Sequence, residues 1–364
     1  MKVQIAIVGA GMAGASLAAA LAPHASVLLL EAEARPGYHA TGRSAAFWSE
    51  SYGGPFVQPL TTASRPFLAE SGFLKPRGCI HLADEEGRQV LSAMEEEFAG
   101  SGLELRRLDR GELEQRFPRL RPSWKAGLSE PSCADIDVAS LHAEYLKKAR
   151  TAGARLVTDA ELIEARRTDG GWQLSAKPGL FTADILVNAA GAWADQVALR
   201  AGMTPLGIRP YRRTVAQLRV DPPAPADMPL VIDALGRFYF KPEAGGRIWL
   251  SPHDETACEP CDTAPEELDV ALAIDRLGQV VDWRVVRVEH SWAGLRSFAP
   301  DRLPVYGFAS GRSDFFWCVG QGGFGIQTAP AAAALAAALL LGVTPGPPAA
   351  GIDPSLYSAG RFTN

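Results

Sequence analysis

The sequence predicts an α/β protein, α+β overall, in which a parallel-sheet domain is interleaved with a second, mainly antiparallel β-sheet domain. Three apolar runs typical of buried strands each end in a glycine turn, near Gly9, Gly191 and Gly322. Between residues 206 and 289, polar and apolar residues instead alternate, as in half-buried antiparallel strands. Because the first pattern returns after residue 289, we expect the two domains to be interleaved along the chain.

The first glycine turn predicts a Rossmann-like dinucleotide-binding unit. An apolar run at residues 2–8 leads into Gly9-Ala-Gly11-Met-Ala-Gly14 and then into an alanine-rich helical segment. The glycines of this motif permit a tight turn, close approach of the backbone to a pyrophosphate, and close packing of helix on strand. Glu31 ends the next apolar run, where its carboxylate can bind both hydroxyls of an adenosine ribose and disfavours the 2′-phosphate of NADP. The alternative is a purely structural glycine turn.

The segment after Glu31 is rich in small and polar residues and is too long for a simple turn. Loops of this kind commonly line a binding site. The cofactor contacts expected in it are Ala32, Arg35, Thr41, Gly42, Arg43, Ser44 and Ala45.

The order of these patterns sets the expected domain boundaries. Residues 1–75, 135–205 and 290–364 are assigned to the dinucleotide-binding domain, and residues 76–134 and 206–289 to the substrate-binding domain.

Local signals predict several individual elements. Asp109 and Glu112 are placed to start a helix, and residues 137–150 have the pattern of an amphipathic helix. Residues 169–171, Asp-Gly-Gly, predict a hairpin turn. A last helix, rich in alanine and leucine, is expected from Ile326 onward.

Composition and charge indicate a small-molecule partner. The net charge is −5, which gives no basic field to attract nucleic acid or an anionic membrane surface. The longest apolar stretch, residues 329–343, is broken by Pro330 and falls short of a bilayer span. No secretion signal is recognised at the start of the chain. The five scattered cysteines fit a reducing compartment, so we expect a cytoplasmic protein with no integral membrane segment.

No metal site is expected. Cys258 and Cys261 have the spacing of half a zinc site, but no second cysteine or histidine pair accompanies them. Two unpaired thiols in a surface loop are the expected state.

Three glycine turns, each at the carboxyl end of an apolar strand, imply an extended cofactor bound along its length, FAD rather than NAD. The last turn contains Gly322, Gly323, Phe324 and Gly325 and precedes the last helix. A helix N-terminus there can face the pyrimidine edge of a flavin, where negative charge develops on reduction. The alternative is a plain connection between a strand and a helix.

Long segments of the chain resemble the flavin-dependent D-amino-acid oxidases and dehydrogenases, and most closely the bacterial FAD-dependent D-arginine dehydrogenases. They include Trp-Ala-Gly-Leu-Arg-Ser-Phe at 292–298 and Gln-Gly-Gly-Phe-Gly-Ile-Gln-Thr at 321–328. The others are residues 9–14, 35–46, 134–137, 187–193 and 238–242. The resemblance implies noncovalent FAD and oxidative deamination. The Cα hydrogen leaves as hydride to flavin N5, and the imino acid hydrolyses to a 2-oxo acid and ammonia.

The resemblance also assigns the substrate carboxylate to Arg213 and Arg296, with the hydroxyl of Tyr239 meeting the same group. A planar guanidinium can bind a carboxylate through two hydrogen bonds and orient the Cα–H bond. Arg213 is chosen over its neighbour Arg212 by alignment alone. An interdomain ion pair remains the alternative for the arginines, and core packing for Tyr239.

Further positions follow from the same resemblance. Tyr52 is expected on a mobile loop that closes over the substrate. Gln327 and Thr328 are expected among the cofactor contacts, with Gln327 one turn into the last helix and Thr328 beside it in reach of the flavin pyrimidine. Gly191 and Trp193, after the second apolar run, are expected at the cofactor.

Two positions depart from the D-arginine dehydrogenases. Phe47 replaces a histidine beside the substrate amine, and Cys79 replaces the acid that receives a basic side chain. A buried guanidinium without its carboxylate is costly, so D-arginine is disfavoured. Neutral or apolar D-amino acids are favoured instead, with Phe47 and Trp48 expected to line an apolar pocket beside Cys79.

The main hypothesis is therefore an FAD-dependent D-amino-acid dehydrogenase or oxidase that passes electrons to a quinone or O2. The nearest alternative is an oxidase of glycine, sarcosine or another secondary or cyclic amine. A 2-hydroxy-acid dehydrogenase would need a base for the hydroxyl proton. A flavin-binding module without turnover would not need the carboxylate-binding residues.

Overall fold

The computed structural model describes residues 2–362, so residues 1, 363 and 364 of the predicted first domain lie outside the described residues. The strands, in chain order, are β1 (Lys2–Val8), β2 (Val27–Leu30), β3 (Phe47–Trp48), β4 (Leu74–Pro76), β5 (Cys79–Ala83), β6 (Arg106–Leu108), β7 (Ala126–Glu130), β8 (Ala134–Ile136), β9 (Arg155–Val157), β10 (Leu162–Thr168), β11 (Gly171–Ala176), β12 (Gly179–Asn188), β13 (Arg209–Asp221), β14 (Leu230–Asp233), β15 (Tyr239–Glu243), β16 (Arg247–Ser251), β17 (Thr256–Ala257), β18 (Arg284–Phe298), β19 (Val305–Phe308), β20 (Phe315–Val319) and β21 (Gln321–Gly322). The α-helices are α1 (Met12–Leu21), α2 (Gln58–Glu70), α3 (Arg88–Glu97), α4 (Arg110–Arg116), α5 (Val138–Thr151), α6 (Ala194–Arg200), α7 (Glu267–Val280) and α8 (Ala329–Leu341).

The first sheet has a parallel centre. Strands β9, β2, β1, β12 and β20 lie side by side in parallel, and β19 adds an antiparallel edge. The hairpin of β10 and β11 extends the first part of β12. Ile5 and Ile7 of β1 pack in one apolar cluster with Leu17 of α1 and Leu335 of α8. Since Val3 and neighbouring side chains enter a second cluster, β1 is covered on both faces, as a central parallel strand should be.

The second sheet has ten strands and is antiparallel except at one pair. Its order is β21, β18, β13, β16, β15, β14, β5, β7, β6, with β17 paired to β13. Strands β14 and β5 are the parallel neighbours. Leu113 of α4 and Leu277 of α7 belong to the apolar cluster that covers one face. The other face is turned toward the cavity described below. Strands β3, β8 and β4 form a small third sheet.

The predicted mixed α/β fold is confirmed, and several element boundaries agree with the prediction. Asp109 and Glu112 form a reciprocal capping box at the start of α4. Helix α5 begins after Asp137, and the hairpin turn lies between β10 and β11. Strand β18 runs through residue 290, where the first domain was expected to resume, so residues just beyond that boundary belong to the second sheet.

The start of the last helix differs from the prediction. Helix α8 begins at Ala329, with Thr328 as its N-cap and Pro330 in its first turn. Proline suits the first turn of a helix because its missing N–H would have no partner there. Residues 326–328 therefore belong to the turn that precedes the helix, and Gln327 is not one turn inside it. The longest helices, α5 and α7, have 14 residues. No helix within residues 2–362 has the length and apolarity needed to cross a membrane.

Candidate active site

The first glycine turn is packed too closely to admit side chains. Gly9 has a φ of 101°, and a Cβ on it would lie 2.5 Å from the carbonyl oxygen of Ala189, just after β12. A Cβ on Gly14 would lie 1.9 Å from the carbonyl oxygen of Gly9. Helix α1 therefore starts directly against the first sheet. Gly11 and Met12 at its N-terminus face a cavity, where the helix dipole favours an anionic group such as a pyrophosphate.

Glu31 closes the same turn from the end of β2. Its carboxylate accepts hydrogen bonds from the backbone N–H groups of Ala10, at 2.8 Å, and Glu33, at 3.0 Å. It also lines the cavity. Since an ionised carboxylate offers about four acceptor positions, ligand hydroxyls can still bind.

A cavity of about 480 Å³ extends from this turn to the second sheet. The predicted cofactor residues that line it are Gly9, Gly11, Glu31, Ala32, Thr41, Arg43, Ser44, Ala45, Gly191, Trp193, Gly322, Gly323 and Gly325. All three glycine turns thus contribute to one elongated cavity of the size of a ligand site. Ala160, Glu161, Leu162 and Lys177 are among its other lining residues. Sequence reasoning missed these four because they belong to no recognisable motif.

The loop after Glu31 is anchored on both sides of the cavity. The hydroxyl oxygen of Thr41 accepts a hydrogen bond from the N–H of Met12 at 2.9 Å. Arg43 forms an ion pair with Asp262 and donates to the carbonyl oxygen of Thr263 at 2.8 Å. Arg43 therefore ties this loop to the segment after β17.

Two predicted cofactor contacts in this loop, Arg35 and Gly42, are corrected. Gly14 of the first glycine turn also does not line the cavity, since it packs behind Gly9. Arg35 is exposed and does not line the cavity. The N–H of Gly42 donates to the carbonyl oxygen of Gly37 at 2.8 Å, so this residue shapes the loop from outside the cavity. Neither position offers a direct contact to a ligand in the cavity.

The third glycine turn joins the two sheets. After β20 of the first sheet, the chain forms β21, in which Gly322 pairs with Ser297 of β18. A Cβ on the next residue, Gly323, would lie 1.8 Å from the hydroxyl oxygen of Tyr52 and 3.0 Å from Nη1 of Arg296. Glycine is required at this position because the two side chains occupy the space of a Cβ.

Phe324 and Thr328 turn away from the cavity, contrary to the prediction. The Phe324 ring packs with Val57 and Phe298 in an apolar cluster. The Thr328 hydroxyl donates to the carbonyl oxygen of Phe324 at 2.8 Å and is fully buried. Both side chains stabilise the turn from behind, so its cavity face is formed by three glycines with Gln321 and Ile326.

Gln327 and Glu130 hold the segment of residues 49–52 from two sides. The Gln327 amide exchanges hydrogen bonds of 3.1 to 3.2 Å with the backbone of this segment. Contrary to the prediction, it therefore does not face the cofactor cavity. The buried Glu130 carboxylate accepts hydrogen bonds of 2.5 to 2.9 Å from two serine hydroxyls and one backbone N–H of the segment. These contacts hold the segment of Tyr52 in place in this structure, and its role on a mobile loop stays a prediction.

Glu130 was missed because a buried carboxylate has no sequence signature. Burial opposes its charge, yet the nearby His81, Ser51 and Ser49 hold its pKa below the usual value. Cys79, His81 and Glu130 each place a candidate metal-ligating atom within 4.8 Å of the others. Hydrogen bonds from residues 49–51 already occupy three of the about four acceptor positions of this carboxylate, so we assign the cluster to positioning of the segment.

Arg213, Arg296 and Tyr239 line the far end of the cavity. In the register of β13 and β18, Arg213 lies opposite Gly294, two residues from Arg296 on the same face. Arg213 donates to the carbonyl oxygen of Asp254 at 2.6 Å. Arg296 donates to the hydroxyl oxygen of Tyr52 at 2.7 Å. Strands β13, β15 and β18, together with the segment after β3 that carries Tyr52, thus bring two cations and two phenol groups together.

Two polar atoms in this group lack a protein partner. Nη1 of Arg213 and the hydroxyl of Tyr239 are buried and make no hydrogen bond to any of residues 2–362. Burial, together with the positive charge of Arg296, lowers the pKa of Arg213 to about 10. A pair of buried, like-charged guanidinium groups with a free donor is a site for an anion.

A second cavity, which we call the side chamber, meets the first at Tyr239 and Arg296. Its volume is about 290 Å³. The other lining residues are Phe47, Ser51, Tyr52, Gly54, His81, Val90, Ala93, Met94, Glu97, Phe98, Ile232 and His253. The chamber gives a bound ligand room beyond its anionic group.

Of the three predicted pocket residues, Phe47 alone lines the side chamber. Trp48 is corrected: it is fully buried, and its indole N–H donates to the carbonyl oxygen of Thr61 at 3.1 Å. Consecutive residues of β3 point to opposite faces, so both could not line one pocket. Cys79 is corrected as well, since it is buried beneath the chamber with its sulfur 3.8 Å from Nε2 of His81. His81 thus occupies the wall where Cys79 was expected.

A family model described as FAD dependent oxidoreductase matches residues 4–339. The chain belongs to this family. It is 27% identical over 359 residues to a glycine oxidase of Geobacillus kaustophilus (strain HTA426), covering 93% of each protein. A crystal structure of glycine oxidase from Geobacillus kaustophilus superimposes with a TM-score of 0.85 and 26% identity, covering 99% of both chains.

The fold is also that of a flavoprotein solved with FAD bound. The dithionite-reduced L-α-glycerophosphate oxidase from Mycoplasma pneumoniae, with FAD bound, superimposes with a TM-score of 0.84 at 17% identity. It covers 94% of this chain and 95% of that chain. The family match identifies FAD as the cofactor, as predicted. The narrower resemblance to D-arginine dehydrogenases stays a prediction.

The elongated cavity fits FAD. The tight turn at Gly9 and the N-terminus of α1 suit its pyrophosphate, and Glu31 suits its adenosine ribose. The turn at Gly322 and Gly323, which admits no Cβ at its second glycine, suits the close approach of a flat ring. Noncovalent attachment stays a prediction.

Proposed function

We propose that this FAD-dependent oxidoreductase oxidises an amine that carries a carboxylate on the oxidised carbon. Glycine, sarcosine and related secondary amines are the first candidates. The observation that carries the proposal is the free, buried donor pair of Arg213 Nη1 and the Tyr239 hydroxyl beside Arg296.

A carboxylate suits this group better than a neutral ligand does. Arg213 and Arg296 bring two positive charges to one end of the cavity. Glu255 pairs with Nη2 of Arg213 at 3.0 Å, which leaves Nη1 of Arg213 free, and Arg296 forms no ion pair with any of residues 2–362. Charge-assisted hydrogen bonds to a carboxylate are about twice as strong as neutral ones, and a guanidinium can make two in parallel. Binding the carboxylate at two or more points also fixes the direction of the neighbouring C–H bond, which supplies much of the rate in such reactions.

FAD, when bound, accepts the hydride that leaves the substrate carbon. The residues of the chain bind and orient the substrate for that step. The substrate loses a hydride from carbon and a proton from nitrogen to give an imine, and water converts the imine to a 2-oxo acid and an amine or ammonia.

An amine is favoured over a 2-hydroxy acid by the state of His253 in the side chamber. A hydroxyl group needs a strong base as its C–H bond breaks. His253 is a poor base because burial, Arg213 and Arg296 lower its pKa to about 3. An amine can instead lose its proton to water before it binds. The names of the glycine oxidase relatives agree with this choice.

Neutral D-amino acids are the second candidate class. Glycine would leave the side chamber empty, whereas an apolar side chain could fill the space between Phe47 and α3, where Val90, Ala93 and Met94 lie. The chamber has a volume of about 290 Å³ and mostly apolar walls. A larger group on the amine nitrogen would use the same room.

The test is product formation by the purified holoenzyme with a panel of matched substrates. Glycine, sarcosine, L-proline, and the D- and L-forms of alanine, leucine and phenylalanine are compared with glycolate and D-lactate. The proposal expects a 2-oxo acid from at least one amine and none from the hydroxy acids. Oxidation of a hydroxy acid in preference to every amine would contradict it. The electron acceptor, a quinone or O2, also stays a prediction, and H2O2 release distinguishes the two.

A further inference from the structure

His253 has a fixed orientation on the wall of the side chamber. It lies two residues after the end of β16 and adopts a φ of 57°, a backbone conformation that most residues avoid. Its backbone N–H donates to the hydroxyl oxygen of Ser251 at 3.1 Å. Its Nδ1 lies 2.8 Å from the carbonyl oxygen of Gly236. The ring is thus held from both its backbone and its side chain.

This geometry settles which ring nitrogen carries the proton. A carbonyl oxygen can only accept a hydrogen bond, so Nδ1 must be the donor to Gly236. In the neutral imidazole, Nε2 then carries a lone pair. Among residues 2–362, Nε2 makes no hydrogen bond.

The charges around His253 keep it neutral. Burial and the positive charges of Arg213, Arg296 and Arg276 all disfavour the imidazolium. The ring also packs edge-on against Tyr239, with 5.7 Å between the ring centroids. His253 therefore presents a hydrogen-bond acceptor beside a group of donors.

The hydrogen-bond donors around His253 are already assigned to one part of the substrate. Arg213, Arg296 and the two tyrosine hydroxyls suit the substrate carboxylate. A carboxylate cannot donate to His253 Nε2, so this acceptor suits a different part of the same molecule. In the proposed substrate class, the amine N–H group and the carboxylate are attached to the same carbon.

We propose that Nε2 of His253 accepts a hydrogen bond from the substrate amino group while the arginines bind its carboxylate. This inference rests on the proposed function. His253 is then a specificity-determining residue: it favours binding of ligands that carry both an N–H and a carboxylate over ligands that carry a carboxylate alone. Glycine and sarcosine retain an N–H when neutral, whereas N,N-dimethylglycine does not.

Two substitutions of His253 distinguish the role of Nδ1 from that of Nε2. His253→Asn places an amide donor near Nδ1, retaining the bond to Gly236, and asparagine tolerates a positive φ. It removes the acceptor at the Nε2 position. His253→Gln reaches further and can restore an acceptor there.

The experiment measures two properties of each holoenzyme. One is anaerobic reduction of the bound flavin by sarcosine, and the other is binding of acetate, followed by the change in flavin absorbance. Acetate has the carboxylate of glycine without its amino group. Thermal unfolding of each variant reports whether the fold is intact.

We expect His253→Asn to lower the rate constant for reduction divided by the sarcosine dissociation constant about tenfold, as for one lost hydrogen bond to a substrate. Acetate binding should change less than about twofold, and His253→Gln should recover part of the reduction. Reduction equal to wild type in His253→Asn would overturn the inference. An equal loss of sarcosine and acetate binding would overturn it too, since the effect would then lie at the carboxylate. If instead the wild-type flavin is not reduced by any amine, the proposed function itself fails.

Discussion

Arg212 and Arg213 are neighbours in β13, and their side chains lie on opposite faces of the second sheet. Arg213 lines the cavity with Nη1 unpaired, whereas Arg212 forms ion pairs with Glu266 and Asp269 at the start of α7. The pleat of the strand dictates this separation because successive side chains alternate between faces. One arginine is thus available to a ligand, and its neighbour attaches a helix to the sheet.

The two arginines provide a matched pair of substitutions. Arg213→Gln removes a buried charge from the carboxylate site and should lower kcat/KM for the amine substrate roughly ten- to a hundredfold, the range for a lost charged hydrogen bond. Arg212→Gln should leave kcat/KM within about threefold, because its losses are ion pairs on the far face. Steady-state kinetics and the melting temperature of both variants test this. A larger kinetic loss in Arg212→Gln than in Arg213→Gln would reverse our assignment.

Gln327 offers a test of the contacts that fix Tyr52. In Gln327→Leu, the backbone groups of residues 49–52 and the hydroxyl of Thr61 lose buried partners, at a cost of about 1–3 kcal/mol. We expect a raised KM for the substrate, with an unchanged FAD content and flavin absorption spectrum. Thr328→Val, which alters a bond within the neighbouring turn, is the control. A shifted flavin spectrum with a normal KM would instead place Gln327 at the flavin.

Binding of a simple carboxylate should weaken at high pH. The pKa of Arg213 is lowered to about 10, and an anion binds the protonated guanidinium. The contribution of Arg213 is therefore complete below pH 10 and decreases by up to about tenfold per pH unit above it. Acetate keeps its charge throughout, so titration of the holoenzyme with acetate between pH 8 and 11 isolates the protein groups. Arg213→Gln should flatten this dependence, and an equally steep decrease in that variant would assign it to another group.

Filling the side chamber should separate the two candidate substrate classes. Ala93 is an exposed residue on the α3 wall of the chamber. Ala93→Phe adds a ring at this wall and should lower kcat/KM for D-leucine or D-phenylalanine at least about tenfold, while glycine is unaffected. Ala99→Phe, at an exposed position outside the chamber, is the control. If Ala93→Phe affects glycine and the bulky substrates equally, the chamber does not receive the substrate side chain.

Local sequence patterns were sufficient for the first glycine turn and its acid, but not for every predicted cofactor contact. The glycines at 9, 11 and 14 and the acid at 31 act within one strand–turn–helix–strand unit, so their spacing fixes their geometry. The structure shows why these residue types are needed. A Cβ on Gly9 or Gly14 would overlap backbone atoms, and the carboxylate of Glu31 accepts a hydrogen bond from the backbone of the turn.

The substrate half depended on contacts between distant segments. Trp48 was expected in the pocket because it follows Phe47, but the pleat of a two-residue strand sends it into the core. Gln327 was misplaced because the helix was expected to start at Ile326, whereas Thr328 is its N-cap and Pro330 lies in its first turn. Glu130 and His253 have no motif, and their importance appears only when the 49–52 segment and Gly236 are brought beside them.

The most direct test of the account is anaerobic reduction of the bound flavin by an amine with and without its carboxylate. Sarcosine is compared with dimethylamine, and D-leucine with isoamylamine, by loss of the visible flavin absorbance. We predict rapid bleaching by at least one of the two amino acids and none by its decarboxylated partner at the same concentration. Equal bleaching by both members of each pair would contradict the role given to Arg213, Arg296 and Tyr239.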